Sequence, residues 1–355
     1  DRKGFAEGKI DLLPNHFSDI PSILRHATKN KVIMAAVSPM DENGYFTLGT
    51  SLTYIGPLLK EAKAVILEVN KNMPRTVGID NRIHISQVTA LIENDFEIPT
   101  MPNPTLSEKD MRIGQTIAAQ IQNGDTIQIG FGSMPNAVME FLIGHRNLSV
   151  YTEMLPDKIV DLYENGVITN ENKKLYKGKS TATFALGTKR LYDFINNNED
   201  VLMLPCDVCN DPRNIAQLDN LVSINTTVEV DFLGQCNSET INGRYYSSSG
   251  GQADFTKGVR LTANGKGIIC LYSTAKNDTI SKIVPSLPQG AVVTTSKNDV
   301  DIIVTEFGKA ELKGRTVQER TQALINIAHP KFREELTFEA VKRGFLPQTN
   351  FFVKK

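Results

Sequence analysis

The sequence predicts an α/β fold with mostly parallel sheets. Short apolar runs at residues 32–37 and 64–69 have the length of buried strands, and a helix-like stretch at residues 51–62 lies between them. The same alternation of strand and helix resumes after residue 107 and continues to residue 196. Strands separated by helices in this order usually pair in parallel. We therefore expect open sheets with helices on both faces.

The length of the chain predicts two domains, because 355 residues exceed what a single hydrophobic core usually holds. Three prolines within residues 99–106 indicate a linker. We place an N-terminal α/β domain at residues 1–98 and a C-terminal catalytic α/β domain at residues 107–355. A weak similarity between residues 44–50 and 243–250 suggests that the two domains are related by duplication.

The second domain begins with a predicted helix at residues 107–122, for which Ser107 is a suitable N-cap. Further strands are predicted at residues 126–129, 148–152, 181–186 and 267–272, and further helices at residues 135–142, 156–163 and 188–196. In an open parallel sheet, ligands bind beyond the carboxyl ends of the strands. The functional residues should therefore lie at that edge.

A glycine-rich turn follows the strand at residues 126–129. It comprises Gly130, Phe131, Gly132, Ser133, Met134 and Pro135. The turn lacks the third glycine of the dinucleotide fingerprint, so it suits an oxyanion or a phosphate better than a nicotinamide dinucleotide. Pro135, at the predicted first helical position, leaves the preceding amides free to point at an anion. The alternative is a tight strand-to-helix turn without a ligand.

Glu153 is the candidate nucleophile, because it ends the predicted strand at residues 148–152 close to the glycine-rich turn. A carboxylate that faces free backbone amides suits acyl transfer through a glutamyl intermediate, in which N–H groups stabilise the oxyanion. Alternatively, Glu153 could cap the helix at residues 156–163, although Asp157 is placed to serve that helix dipole. Glu239, near a predicted strand end, is a second candidate nucleophile.

Two adjacent glycines, Gly250 and Gly251, precede Gln252 near a predicted helix start. Such a pair permits positive φ and the close approach of a ligand to the backbone. A tight turn with Asp254 near the helix start is the alternative interpretation. Combined with the two motifs above, the pair is better interpreted as the source of a second oxyanion donor.

Composition argues against several other classes of protein. Lys and Arg number 39 and Asp and Glu number 40, without a basic stripe, so nucleic acid is not an expected partner. The sequence has neither an apolar stretch of membrane-spanning length nor a charged-then-apolar leader, which predicts a cytoplasmic protein without membrane contact. The five histidines are scattered, which argues against a histidine-based triad.

Cys206 and Cys209 have the Cys-x-x-Cys spacing that occurs in zinc and redox sites. A second pair or a nearby histidine would be needed to complete a zinc site, and the sequence offers neither. We therefore predict no metal, and interpret the pair as buried small side chains near a strand end. Zinc or redox chemistry remains the alternative.

A series of motifs then identifies a family. The motifs lie, in order, at residues 38–45, 72–76, 130–138, 152–154, 187–192, 250–252 and 323–332. Together they resemble the acetyl-CoA hydrolase and CoA-transferase family, specifically its branch of 4-hydroxybutyrate and butyryl-CoA:acetate CoA-transferases. The resemblance covers essentially the whole chain. It implies two α/β domains of related fold with the active site between them, and a homodimer.

The resemblance also implies roles for particular residues. Glu153 matches the family's catalytic glutamate, which is acylated and then forms a glutamyl-CoA thioester. The glycine-rich turn, residues 130–134, matches the turn that contacts CoA, with the Phe131 amide as one oxyanion donor and Gly251 as the other. Further matched positions near CoA are Gly250, Gln252, Thr274 and Ala275.

The implied activity is that of an acyl-CoA:carboxylate CoA-transferase with ping-pong kinetics. Its expected substrates are acyl-CoA and short-chain acids such as 4-hydroxybutyrate, butyrate and acetate, with CoA as a substrate and no tightly bound cofactor. Two alternatives are a short-chain acyl-CoA hydrolase, which would let water reach the intermediate, and a catalytically silent acyl-CoA binding protein.

Two departures from the family pattern bear on the substrate site. Family members begin with a further segment that completes the first domain, so the N-terminal domain of this chain is expected to be incomplete at its start. Tyr151 stands where many relatives carry histidine before the Ser/Thr-Glu-Met triplet. That change would either tune the acyl pocket or have no effect.

Overall fold

The computed structural model describes residues 2–29 and 31–348. The α-helices span Arg2–Ala6, Ile20–Ala27, Ile55–Leu58, Glu108–Ala118, Ser133–Glu140, Ile159–Glu164, Lys189–Ile195, Cys206–Cys209, Pro212–Ile215, Gln252–Leu261, Val317–Ile327 and Pro330–Lys342, and 3-10 helices span Phe17–Asp19, Leu59–Glu61 and Ile85–Gln87. None of the helices within these two ranges is long and apolar enough to cross a membrane.

The strands are short and distributed over several sheets. They span Val32–Val37, Tyr45–Thr47, Ala64–Asn70, Val77–Gly78, Arg82–His84, Ala90–Asn94, Thr126–Ile129, Ser149–Val150, Met154–Pro156, Ser180–Ala182, Phe184–Leu186, Val201–Met203, Leu221–Thr226, Glu229–Asp231, Cys236–Asn237, Thr240–Ile241, Arg244–Tyr245, Lys266–Cys270, Thr274–Ala275, Ile280–Ser281, Ile283–Val284, Ile302–Thr305 and Gly308–Glu311. The predicted strands at residues 32–37 and 126–129 are observed with these bounds.

The largest sheet in the described part of the chain has six strands. Their order across the sheet is Gly308–Glu311, Ile302–Thr305, Lys266–Cys270, Leu221–Thr226, Thr126–Ile129 and Ser149–Val150. Every neighbouring pair is parallel except the first, which is an antiparallel hairpin. The chain builds outward from Thr126–Ile129 in one direction and then returns to its other side. That reversal creates a switch point, where the carboxyl ends of parallel strands leave room for a ligand.

Helices cover both faces of this sheet. Successive residues of a strand point to opposite faces, so neighbours on one strand pack against different helices. Ile268 and Ile269, neighbours on one strand, belong to different buried clusters. Ile268 shares its cluster with Ile117 of the helix Glu108–Ala118, whereas Ile269 shares its cluster with Leu324 of another helix. The predicted α/β class with mostly parallel sheets is therefore confirmed.

Two smaller sheets are also parallel, and the second of them connects the early and late parts of the chain. Val32–Val37, Ala64–Asn70 and Ala90–Asn94 form one, and Ser180–Ala182, Val201–Met203 and Val77–Gly78 form another. The proline-rich segment also packs on the later part, since the Tyr192 hydroxyl donates to the carbonyl oxygen of Pro99 at 2.8 Å. The arrangement is consistent with a two-domain α/β fold, and the predicted boundary at residues 99–106 stays a prediction.

The helix predicted at residues 51–62 is shorter in the structure. It comprises Ile55–Leu58 followed by the 3-10 turn Leu59–Glu61. The amides of Leu52 and Thr53 donate instead to the carbonyl oxygen of Thr183, at 3.1 and 3.3 Å. Thr183, between two distant strands, therefore holds the first residues of the predicted helix in a non-helical conformation.

The helix predicted at residues 156–163 begins later, at Ile159, and ends at Glu164. Asp157 precedes this helix, and the prediction that Asp157 serves the helix dipole is wrong. The Asp157 carboxylate accepts hydrogen bonds from the amide of Thr188 at 2.7 Å and from its hydroxyl at 2.6 Å. Asp157 therefore holds the start of the next helix, Lys189–Ile195.

The helix predicted at residues 107–122 spans Glu108–Ala118, and the prediction of Ser107 as its N-cap is confirmed. The Ser107 hydroxyl accepts a hydrogen bond from the Asp110 amide at 3.2 Å, and the Asp110 carboxylate accepts one from the Ser107 amide at 2.8 Å. This reciprocal pair is a capping box.

Candidate active site

Glu153 lies where the chain passes from the six-stranded sheet into a two-stranded sheet. Its carbonyl oxygen accepts hydrogen bonds from the amides of Thr183 at 2.9 Å and Phe184 at 3.2 Å. The strand predicted at residues 181–186 is interrupted here, at Thr183, and the strand predicted at residues 148–152 is shorter, Ser149–Val150. The break turns the Glu153 side chain toward the carboxyl edge of the large sheet.

Thr152 fixes the backbone beside Glu153. Its hydroxyl oxygen accepts a hydrogen bond from the Ile129 amide at 3.3 Å, and its carbonyl oxygen accepts one from the Cys209 thiol at 3.1 Å. Ile129 ends the strand that leads into the glycine-rich turn, so this contact sets the turn against the Glu153 segment. Cys206 and Cys209 lie buried in one short helix, and the described residues contain no cluster of three or more metal-ligating side chains.

Glu153 lines a cavity of about 380 Å³ at the switch point of the large sheet. Among the predicted site residues, Gly130, Phe131, Gly250, Gly251 and Gln252 line the same cavity. The structure therefore brings the glycine-rich turn, the glycine pair and the carboxylate together, as the sequence predicts.

The Glu153 carboxylate is partly buried and has two neighbours that donate to it. The amide nitrogen Nδ2 of Asn210 donates to Oε2 at 2.6 Å, and the backbone N–H of Gly251 donates as well. Burial raises the pKa of Glu153 to about 7, and the nearby Asp254 carboxylate also raises it, whereas the Asn210 and Gly251 hydrogen bonds lower it. A poorly solvated carboxylate that ionises near neutral pH is suited to nucleophilic attack.

A glycine is needed at position 251 because the Glu153 carboxylate lies so close to the backbone there. A Cβ atom built on Gly251 would overlap Oε2 of Glu153 and Nδ2 of Asn210. Gly250 has φ +54°, in the left-handed region that favours glycine. The glycine pair is therefore required by geometry on both counts.

The glycine-rich turn presents a free amide to the cavity. Gly130 packs so closely that a Cβ atom would lie 2.7 Å from the carbonyl oxygen of Ile224. The N–H of Phe131 donates no hydrogen bond to any described residue and is available to a ligand. The helix begins at Ser133, so Pro135 occupies its third position and not the first position that the sequence suggested.

The other predicted CoA-contacting residues lie outside the Glu153 cavity. Thr274 and Ala275 line a second cavity of about 430 Å³ together with Tyr272. The Ser133 hydroxyl lies 3.1 Å from the Tyr272 hydroxyl, so the start of the helix adjoins this second cavity. Gly132, Ser133 and Met134 do not line the Glu153 cavity. Their predicted contacts with CoA stay predictions.

Two other residues singled out in the sequence take no direct part in the cavity. Glu239 does not line the Glu153 cavity, and its carboxylate accepts a hydrogen bond from the Thr294 hydroxyl at 2.8 Å. Tyr151 is fully buried, and its hydroxyl donates to the carbonyl oxygen of Val208 at 3.3 Å. Tyr151 packs against Phe255, which does line the cavity, so its influence on the acyl pocket is indirect.

Asn210 is the residue at this site that sequence reasoning missed. It directly follows Cys209, the second cysteine of the Cys-x-x-Cys spacing. Asparagine in a loop indicates a turn as readily as a contact. Only the fold places its amide beside Glu153, 57 residues earlier in the chain.

Comparison with known proteins identifies the family of this chain. The model of the acetyl-CoA hydrolase/transferase N-terminal domain matches residues 2–102, and that of the C-terminal domain of the same family matches residues 187–340. The chain is 47% identical over 342 residues to a succinyl-CoA:cyclohexane-1-carboxylate CoA transferase of Geobacter metallireducens, covering 96% of this chain and 78% of that protein.

Two further proteins are similar to this chain over most of its length. A 4-hydroxybutyrate coenzyme A transferase of Clostridium kluyveri is 44% identical, with 96% of this chain and 80% of that protein covered. The crystal structure of RipA from Yersinia pestis superposes with a TM-score of 0.91 at 40% identity, covering 97% of this chain and 78% of that one. The predicted family, its CoA-transferase branch and the enzyme class are thereby confirmed. This chain belongs to the acetyl-CoA hydrolase/transferase family.

Proposed function

We propose that this protein transfers CoA between short-chain carboxylic acids, with Glu153 as the nucleophile. The observation that carries the proposal is the Glu153 carboxylate itself, which lies in a cavity beside the Gly251 amide and the free Phe131 amide. Its pKa of about 7 leaves about half of it ionised at neutral pH, in a poorly solvated position. Main-chain N–H groups in such a place stabilise the negative oxygen that develops during acyl transfer.

The reaction follows from these groups in two halves. The Glu153 carboxylate attacks the thioester carbonyl of acyl-CoA, the C–S bond breaks, and CoA leaves as the thiolate with an acyl-glutamyl anhydride on the protein. The thiolate then attacks the glutamyl carbonyl, which releases the first carboxylate and forms glutamyl-CoA. A second carboxylate reverses both steps and leaves as the new acyl-CoA. The thioester bond energy is conserved throughout.

The Phe131 and Gly251 amides are the proposed oxyanion donors. Gly251 already donates to the Glu153 carboxylate, so it remains beside the carbonyl that the thiolate attacks. Phe131 lines the same cavity, and its N–H donates no hydrogen bond to any described residue. Donors fixed before the reaction need no reorganisation when charge develops, which is how such sites lower the barrier.

The proposed substrates are acyl-CoA and 4-hydroxybutyrate, butyrate or acetate. The family resemblance and the CoA-transferase activity of the relatives support this class. We place CoA along the glycine-rich turn toward the cavity lined by Thr274 and Ala275. A homodimer and the lack of a tightly bound cofactor are further expectations from the resemblance, and a cytoplasmic location is expected from the sequence. All three stay predictions.

Label exchange tests the proposed function. The protein is incubated with butyryl-CoA and ¹³C-acetate, and we expect labelled acetyl-CoA and free butyrate in equal amounts. Borohydride treatment during turnover, followed by peptide mass spectrometry, should locate a reduced glutamyl thioester at Glu153. Release of CoA at the same rate without acetate would instead show a hydrolase. Acyl-CoA binding without an adduct or exchange would show a silent binding protein.

Activity should decline below neutral pH. Only the ionised carboxylate attacks the thioester, and the pKa of Glu153 is about 7. We expect kcat/KM for acyl-CoA to fall about tenfold for each pH unit below that value and to level off above it. Initial rates from pH 5 to pH 8.5 measure this limb. A flat profile between pH 5 and pH 7 would contradict the assignment.

Replacing Asn210 with alanine should raise the pKa of Glu153 further, because the Asn210 hydrogen bond favours the ionised form. We expect exchange at pH 7 to fall about tenfold, with partial recovery at pH 8.5, since loss of one such donor costs roughly 1–3 kcal/mol. Asn165→Ala is the matched control, because the Asn165 side chain is exposed and donates to the carbonyl oxygen of Asp161. An unchanged pH profile in Asn210→Ala would refute the role.

A further inference from the structure

Residues 15–18 hold the glycine pair from both sides. The Ser18 amide donates to Oδ2 of Asp254 at 3.1 Å and the Ser18 hydroxyl donates to Oδ1 at 2.9 Å. Before the pair, the Ser249 hydroxyl donates to the carbonyl oxygen of Asn15 at 3.2 Å. A segment more than 230 residues away in sequence therefore fixes the chain directly before Gly250 and again at Asp254, in the first helical turn after Gly251.

Asp254 is an unusual residue for its surroundings. It is only 1% exposed and lies in the first turn of the helix Gln252–Leu261, for which Gly251 is the N-cap. A carboxylate buried without donors is costly, and the two hydrogen bonds from Ser18 meet that need. The same contact therefore fixes the position of the first helical turn and, through it, of Gly251.

The charge of Asp254 also reaches Glu153, whose pKa it raises. The other titratable groups that face Asp254 are few. His16 lies with Nδ1 3.9 Å from Oδ1, and Asp19 belongs to the same segment as Ser18. Lys257, one turn along the Asp254 helix, approaches Nε2 of His16 at 3.4 Å.

We propose that Ser18 and Asp254 are positioning residues for the reaction, because their contact holds the Gly251 amide against Glu153. This inference rests on the proposed function of Glu153 and adds two residues to it. Neither side chain lines the cavity, so both act through the glycine pair. A displacement of about 1 Å at a reacting group is enough to cost roughly a hundredfold in rate.

Ser18→Ala tests the proposal in the full-length chain. We expect kcat for butyryl-CoA and acetate to fall about tenfold while KM for acyl-CoA stays within about twofold, since only positioning at the reacting centre is lost. Ser18→Thr keeps both donors and should restore kcat. Ser22→Ala, at an exposed position on the following helix, is the matched control. An unchanged kcat in Ser18→Ala, or a rise in KM alone, would overturn the proposal.

Asp254→Asn supplies a readout that a merely structural role would not change. Loss of the charge should shift the acid limb of kcat/KM to lower pH, because Asp254 raises the pKa of Glu153. The double variant Ser18→Ala/Asp254→Asn should be no slower than the slower single variant, as expected for residues that act as a unit. The proposal would be overturned if the losses of the two single variants multiply in the double variant and the acid limb of kcat/KM keeps its position in Asp254→Asn.

Two controls keep the outcomes separate. Thermal unfolding of each variant shows whether it folds, and if Asp254→Asn does not, the comparison of Ser18→Ala with Ser18→Thr decides alone. If the proposed function itself is wrong, the unmodified protein will show no label exchange. If only the present inference is wrong, the unmodified protein will exchange label and Ser18→Ala will match it.

Discussion

Glu153→Gln is expected to abolish CoA exchange, with a loss of at least about a thousandfold, and to make the protein more stable at alkaline pH. Glutamine keeps the size of the side chain and can still accept the Asn210 and Gly251 hydrogen bonds, but its amide cannot attack a thioester. Exchange of ¹³C-acetate into acetyl-CoA measures the first effect. The borohydride-reduced glutamyl adduct should disappear with it.

The stability effect has a definite sign. The pKa of Glu153 is about 7 in the folded protein, against an ordinary value of 4.5. The folded state therefore holds the proton more tightly than the unfolded state, so stability is lost as the pH rises from 4.5 to 7. Glutamine carries no charge to lose. Glu153→Gln should thus gain up to about 3 kcal/mol at pH 8, less whatever solvent at the cavity mouth screens.

Urea unfolding at pH 5 and pH 8 measures this gain, which should be small at pH 5 and large at pH 8. Glu239→Gln is the matched control, because Glu239 lies outside the cavity and was the second candidate nucleophile in the sequence. It should retain exchange. Full exchange in Glu153→Gln, or loss of exchange in Glu239→Gln alone, would end the assignment of Glu153 as nucleophile.

The sequence alone was sufficient to predict which residues meet at the centre of the site. Gly130 and Glu153 follow strands at the same edge of one parallel sheet, and the carboxyl ends of parallel strands meet there. Gly251 could be added because a glycine pair before a helix indicates close backbone approach. Each of these signals is local, and the parallel-sheet fold class predicts that the residues carrying them lie at the same edge of the sheet.

The supporting residues could not be predicted in the same way. Asn210 lies 57 residues from Glu153, and Ser18 lies 236 residues from Asp254, without a local pattern that connects either pair. Tertiary hydrogen bonds also overrode local preference at Thr53, where φ is +36° and the predicted helix fails to start. Such contacts depend on how distant elements pack, which periodicity and turn chemistry do not encode.

The glycine-rich turn shows both outcomes within a few residues. Gly130 and Phe131 lie beside Glu153 as predicted, whereas Ser133 starts the helix and contacts Tyr272 instead. The turn rises from the strand end and carries its later residues away from the cavity. The residues of this motif therefore have two different surroundings. Gly130 and Phe131 line the Glu153 cavity, whereas Ser133 contacts Tyr272, which lines the second cavity.

Gly251→Ala is expected to lower exchange at least about a hundredfold, since removing one oxyanion donor costs about that much. The added Cβ atom would overlap Oε2 of Glu153 and Nδ2 of Asn210, so the carboxylate or the turn must move. Either movement separates the Gly251 amide from Glu153. The protein should still fold, because the strain is confined to the cavity wall, and thermal unfolding checks this.

Gly144→Ala is the matched control, because a Cβ atom there meets nothing within 4 Å. It should exchange label at the rate of the unmodified protein. Gly250→Ala separates the two requirements on the pair, since its Cβ would lie 3.9 Å from Oε1 of Glu153 without overlap, while its φ of +54° strains any side chain. It should lose stability by about 1 kcal/mol and lose less exchange than Gly251→Ala. Gly251→Ala exchanging label within threefold of the unmodified protein would show that the close approach of this glycine to the nucleophile has no part in the reaction.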